Sequence, residues 1–314
     1  MPALRDITTG LRFPEGPIAL PDGSVLVVEI NRGTLTRINP NGSHHMVAET
    51  GGGPNGAAIG PDGKCYICNN GGMRWRERDG VLHPGLQPDN YSGGRIERVD
   101  LTSGAVEILY TGTDDVPLRG PNDMVFDAHG GFWFTDNGKT RRREQDRTGV
   151  FYAKADGSFI KEVIFPLMTP NGIGLSPDGS RLYVAESLTC RLWAFEITAP
   201  GEVQRHPWPH GGTVVAGLPG FQMFDSLAVD SAGNICVATL MRGGYTHNGA
   251  ITVIAPDGSS IEQIAMPDPY TTNLCFGGPE LRTAYITLSS SGRLVAMQWP
   301  RPGLALHYLN DCMQ

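Results

Sequence analysis

The sequence predicts an all-β protein, a six-bladed β-propeller with a central channel, and three observations carry the prediction. A short block, a polar residue followed seven positions later by a turn, occurs six times along the 314 residues. The blocks open FPEG (13–16), GPNG (53–56), GPND (120–123), TPNG (169–172), MFDS (223–226) and TTNL (271–274), each followed by a turn such as PDG (21–23, 61–63, 177–179). Counted from their polar residues, the copies lie 40 to 67 residues apart, a blade pitch once loop insertions are allowed for. The residues around each turn alternate with period two, the pattern of paired antiparallel strands. Each repeat should therefore be a four-stranded sheet, and six of them should stack radially in one domain over residues 1–314.

Blade one starts near residue 13 and runs through Ser24–Glu29 and Gly33–Asn39 to a turn at Pro40. The C-terminal stretch Leu304–Leu309 is expected to complete its sheet and tie the chain ends together. Blade two starts near 53 and carries an insertion, residues 71–94, whose length marks a functional lid. Trp75, His83 and Tyr91 are its candidates for shaping a pocket; a packed surface loop is the alternative. Blade three starts near 120 and leads into a charged connection, Lys139–Arg147, where Glu144 and Asp146 offset the run Arg141–Arg143 and favour a solvated loop over an anion site. Blade four, from 169, is the most regular copy. Blade five starts near 223 and has a second insertion, 241–248; blade six starts near 271.

With 42 Gly and 24 Pro, the composition suits many short strands joined by turns. A hydrophobic fraction of 40% supplies a core and argues against disorder. The net charge of −7 opposes a nucleic-acid surface, which carries a basic stripe. No apolar run forms a signal peptide or a membrane span, so a cytoplasmic address, reduced cysteines and no membrane partner are expected. Cys65 and Cys68 lie three apart in a strand pattern, which points them to opposite faces and disfavours a zinc or redox pair.

The six polar residues, Glu15, Asn55, Asn122, Asn171, Asp225 and Asn273, each open an innermost strand and should converge at one channel mouth. Two carboxylates there require that one take up a proton or that a cation sit between them. With the amide oxygens of Asn122 and Asn171 they form an all-oxygen set that matches a hard divalent cation, Ca²⁺ first. No His occupies the ring, which disfavours zinc. For Asn55 and Asn273, capping of local turns is the simpler expectation.

The stretches FPEGP (13–17), SGGRIERVD (92–100), RGPNDMVFD (119–127), TPNGIGLSPDGSRLYVAES (169–187) and FDSLAVDSAGN (224–234) resemble the regucalcin/gluconolactonase (senescence marker protein-like) family of six-bladed propellers. The resemblance covers nearly the whole chain. It implies a metal held by Glu15, Asn171 and Asp225, with Asn122 beside it on substrate or a metal-bound water. It also implies one divalent ion, Ca²⁺ ahead of Mn²⁺, Zn²⁺, Fe²⁺ or Mg²⁺, and hydrolysis of a small sugar lactone. The regucalcin branch has an Arg two residues before the blade-three Asn, where this chain has Gly120; the Gly-Pro-Asn-Asp form looks closer to bacterial gluconolactonases.

In the resulting mechanism the ion polarises the lactone carbonyl and activates water, Asp225 is the general base, and Asn122 orients the substrate. A serine-esterase route has no support, because the chain lacks a G-x-S-x-G elbow. Two alternatives remain: a phosphotriesterase resembling diisopropyl fluorophosphatase, and a non-catalytic binding propeller with a structural ion. The expected partner is a small-molecule lactone, and the expected assembly is a monomer or weak homo-oligomer.

Overall fold

The computed structural model describes residues 3–240 and 248–310. It is a propeller of six antiparallel blades, with no α-helix and one short 3₁₀ turn at Pro279–Leu281 among the described residues. The innermost strands are Pro14–Ala19, Pro54–Ile59, Pro121–Phe126, Pro170–Leu175, Met223–Val229 and Thr271–Gly277. Each begins at the repeated block, so the sequence repeat and the blade coincide.

The core lies between blades rather than within one layer. In Gly131–Asp136 of blade three, Phe132 and Phe134 pack toward blade two, while Trp133 packs toward blade four. Period-two alternation sends neighbouring side chains to opposite faces, and both faces are covered, so the strand is buried throughout. Each fully buried aromatic contributes about 2–3 kcal/mol of hydrophobic stabilisation. Cys65 and Cys68 obey the same rule: Cys65 joins the core shared with blade one, Cys68 the core shared with blade three, and both are free thiols.

Ring closure differs from the sequence expectation. The N-terminal strand Arg5–Thr8 pairs with Arg293–Gln298 as the outermost strand of blade six. Blade one needs no borrowed strand, because His44–Glu49 already fills its outer edge. Residues 304–309 instead cross the channel end remote from the ring of polar residues: the Leu304 N–H donates to the Val229 carbonyl at 3.0 Å, and Tyr308 meets Phe126 edge-on with ring centroids 5.7 Å apart. This segment closes a cavity of about 640 Å³ bounded by the innermost strands.

The 71–94 insertion is more ordered than a loop. It contains a hairpin, Trp75–Arg78 paired with Val81–Pro84. Asp79 and Gly80 form its turn, both at positive φ (54° and 75°), the conformation that suits a two-residue hairpin turn. The hairpin reaches across to blade six, where the Leu82 N–H donates to the Ser290 carbonyl at 3.2 Å. The second insertion, 241–248, falls outside the described residues for all but Asn248.

Candidate active site

Each innermost strand carries a register shift within two residues of its polar ring residue, as between Pro121 and Met124 or between Pro170 and Ile173. A bulge places an extra residue on one strand and re-aims its side chains, here six times around the channel. The residue after the ring position nests against the next blade. A Cβ on Gly56 would lie 2.5 Å from the Asn122 carbonyl oxygen, and one on Gly172 would lie 2.6 Å from that of Asp225. Close approach of backbones explains glycine at both places.

Hydroxyl groups fix the backbone of the ring residues across blades. Thr135 Oγ1 donates to the Asn171 carbonyl at 2.6 Å, Ser187 Oγ to the Phe224 carbonyl at 2.6 Å, and Ser289 Oγ to the Pro14 carbonyl at 2.5 Å. Phe13 and Thr169, two residues before Glu15 and Asn171, both adopt positive φ (58° and 53°). Such backbone is disfavoured for these residues and persists where the surroundings over-determine it.

All six ring residues are buried. Glu15 Oε2 accepts from Gly16 N and from Asn273 Nδ2, both at 2.9 Å. The Asn171 side chain bonds Asp225, and Ser226 Oγ donates to Asn171 Oδ1 at 3.4 Å. Asn273 does both things open to it, since its Oδ1 also accepts from Leu274 N at 2.7 Å. Sequence reasoning missed a third carboxylate: Asp123 is buried, and its Oδ1 accepts from Met124 N at 2.9 Å. The signal was there, because Asp123 stands where the blocks GPNG and TPNG have glycine.

Burial pushes Glu15 up to about 7 against the pull of its hydrogen bonds. Burial first, then the nearby Glu15 charge, pushes Asp123 up to about 7. Asp225 is raised well above the ordinary carboxylate range by burial and then by Glu15, with Asp123 adding to the effect. No Lys or Arg pairs with any of the three among the described residues. Among the described residues the site is an acidic cluster lacking a compensating positive charge.

Among the described residues, no three His, Cys, Asp or Glu side chains gather closely enough to hold a metal on their own. Amide oxygens must therefore complete any ligand set. Asn122 Oδ1 is buried without a hydrogen-bond partner among the described residues, an acceptor that wants a donor or a cation. Carboxylates and amide oxygens without His or Cys suit a hard divalent ion, so the residues present fit one.

An apolar roof stands at the mouth end of blade one, beginning two residues before Glu15. Phe13 packs on Trp75 of the hairpin (centroids 4.9 Å apart) and on Tyr270 (5.6 Å), with Leu82 in the same cluster and His83 edge-on to Tyr270 at 5.8 Å. Tyr91 turns away from this roof, its hydroxyl donating to the Arg119 carbonyl at 2.5 Å. The 139–147 connection is internally paired: Arg141 bonds Glu144 and Asp146.

Residues 13–290 match the family described as "SMP-30/Gluconolactonase/LRE-like region". The chain belongs to this family. A gluconolactonase from Zymomonas mobilis is 26% identical over 306 residues, covering 86% of this chain and 75% of the relative. The diisopropyl-fluorophosphatase of Loligo vulgaris is 28% identical over 211 residues, covering 63% of each chain. Among solved structures, a calcium-binding protein named regucalcin from Agrobacterium tumefaciens superposes with a TM-score of 0.71 at 19% identity, covering 97% of this chain and 98% of that one. That likeness is one of fold. No helix among the described residues is long and apolar enough to cross a membrane.

Proposed function

We propose that this member of the family hydrolyses a small sugar lactone with one divalent metal ion, Ca²⁺ first, held by Glu15, Asn171 and Asp225. The observation that carries the reading is the buried pair Glu15 and Asp225: burial raises the pKa of both, the Glu15 charge raises that of Asp225 further, and no cationic side chain among the described residues pairs with either. The gluconolactonase name of the Zymomonas mobilis relative supports the substrate class, and the calcium-binding description of the Agrobacterium tumefaciens protein supports the ion. A divalent ion bound there supplies Lewis-acid polarisation of the lactone carbonyl and lowers the pKa of water in reach.

The chain's own groups do the rest. Asp225 takes a proton from the attacking water at a carboxylate oxygen, as the water oxygen bonds the carbonyl carbon. As the ring ester C–O bond breaks, the same proton passes to the departing oxygen. A carboxyl whose pKa burial raises above the ordinary carboxylate range holds a proton more readily than a free one, which suits it to both transfers. Asn122, with Oδ1 unpaired, accepts from a substrate hydroxyl and orients the ring. Phe13, Trp75 and Tyr270 exclude bulk water above the site.

The likeness to the Loligo vulgaris enzyme supports a second reading, hydrolysis of phosphotriesters at the same site. The deciding experiment takes chelated protein, adds Ca²⁺, Mn²⁺, Zn²⁺, Fe²⁺ or Mg²⁺ singly, and assays γ- and δ-sugar lactones beside diisopropyl fluorophosphate. Lactone turnover restored by an ion and absent from Asp225→Asn supports the leading reading. Turnover of the phosphotriester alone moves the assignment to the second, and no turnover of either favours a binding propeller.

A further inference from the structure

Outside the ring of polar residues, Lys139 is a lysine buried in the fold. It is 4% exposed, and Nζ donates to Asn70 Oδ1 at 3.1 Å and to the Gly72 carbonyl at 2.8 Å, with the Tyr91 ring 5.3 Å away. These partners are neutral. The neighbouring carboxylates are engaged elsewhere: Asp136 accepts from Arg119, Gly120 and Gly138 N–H groups, and Asp146 accepts from the Lys139 backbone N–H and from Arg141. Beside it, Asn70 is 2% exposed and its Nδ2 has no acceptor among the described residues. A buried ammonium without an ion pair and a buried amide without an acceptor both cost stability, and both lack the same thing.

Their place in the fold indicates what would satisfy them. Asp136 pairs with Pro121 and Asn69 with Pro54 at the mouth ends of their sheets. Lys139 and Asn70 therefore follow three residues and one residue beyond those pairs, next to the strand starts that carry Asn122 and Asn55. We propose that Lys139 and Asn70 form a subsite for an anionic oxygen group carried by the substrate at a distance from the ester that is hydrolysed. The inference rests on the lactonase reading and narrows it to lactones bearing a carboxylate or a group of like charge and geometry. Charge-assisted donors from Lys139 Nζ and Asn70 Nδ2 would share its oxygens.

Burial pushes Lys139 down to about 7 against Asp136 and Asp146, which raise it. Tyr91, raised by its own burial, faces it from the insertion. The cation, and with it anion recognition, is lost as pH rises through about 7.

The test compares an aldaric monolactone, which keeps a free carboxylate, with the aldonolactone of the same ring size, which ends in hydroxymethyl. The ratio of their kcat/KM values in the wild type is expected to favour the carboxylate and to decline from pH 6 to 8. In Lys139→Met that ratio is expected to fall ~10-fold or more, the effect of losing a hydrogen bond to a charged group. An unchanged ratio in Lys139→Met, including equal losses on both lactones, overturns the subsite and leaves Lys139 as a tie between blades. Asn70→Ala serves if circular dichroism shows that Lys139→Met does not fold. Where the wild type hydrolyses neither lactone, the lactonase reading falls, and calorimetric titration with the open-chain aldarate decides the subsite separately. Binding that weakens in the variant supports it, and no binding to the wild type overturns it.

Discussion

Asn273 Nδ2 donates to Glu15 Oε2 at 2.9 Å across 258 residues of chain, so the last blade holds a carboxylate of the first. The candidate metal ligand is oriented only once the ring has closed, which couples the site to the fold. Asn273→Ala removes that donor and leaves Leu274 N without its acceptor. Isothermal titration of the chelated variant with Ca²⁺ should show affinity reduced ~10- to 100-fold, the range for groups that orient a ligand. Unchanged affinity would mean that Glu15 needs no such support.

Asp225→Asn keeps the shape of the side chain and removes one of three buried negative charges. In chelated protein the variant should melt higher than the wild type, because desolvation and repulsion by Glu15 disappear together. Hydrolysis at saturating ion should drop ~10²- to 10⁴-fold with loss of the general base. A lower melting temperature in chelator would contradict the electrostatic account of the pocket.

The same charges set a pH dependence. A carboxyl raised on folding binds its proton more tightly in the native state, so the penalty is absent below its unfolded value and grows until the folded value is passed. For Glu15, raised from 4.5 to about 7, the native state of chelated protein loses on the order of 3 kcal/mol across that window. Asp123 acts in the same direction. Chelated protein should therefore melt at progressively lower temperature between pH 4.5 and 7, and Ca²⁺ should raise the melting temperature most at the upper end. Differential scanning fluorimetry at several pH values reads both effects; a chelated protein that gains stability across this window would reverse the assignment. Below pH 4.5 exposed carboxyls such as Asp22, held low by hydrogen bonds from Ser24, work in the opposite sense.

The ring was legible because turn chemistry repeats at a fixed offset from Glu15, Asn55, Asn122, Asn171, Asp225 and Asn273, and period-two burial then dictates the sheets. What escaped depends on contacts between blades. Phe13, Trp75 and Tyr270 come from three different blades and meet only in three dimensions. Lys139 sits at the start of a charged run that suggests solvent, yet it is buried because residues 71–94 fold over it. The hairpin left a trace in Asp79-Gly80, a strong turn signal, but its flanking residues Trp75–Arg78 alternate too weakly to register as a strand. The closing strand was misassigned because His44–Glu49 is mostly exposed and polar at its start, which hid the true edge of blade one.

Gly172 offers a purely steric test of how tightly blades four and five meet. A Cβ there would sit 2.6 Å from both the Asp225 carbonyl oxygen and the Leu227 nitrogen, and backbone atoms cannot turn aside as a side chain can. Gly172→Ala should destabilise by about 2–3 kcal/mol, the upper part of the overpacking range. It should also shift Asp225 and weaken ion binding. Gly179→Ala is the control, at positive φ but with open space around it, so it strains the backbone without touching the site. Loss of ion affinity in both variants would point to general softening of the propeller, whereas loss confined to Gly172→Ala would locate the effect at the contact with Asp225.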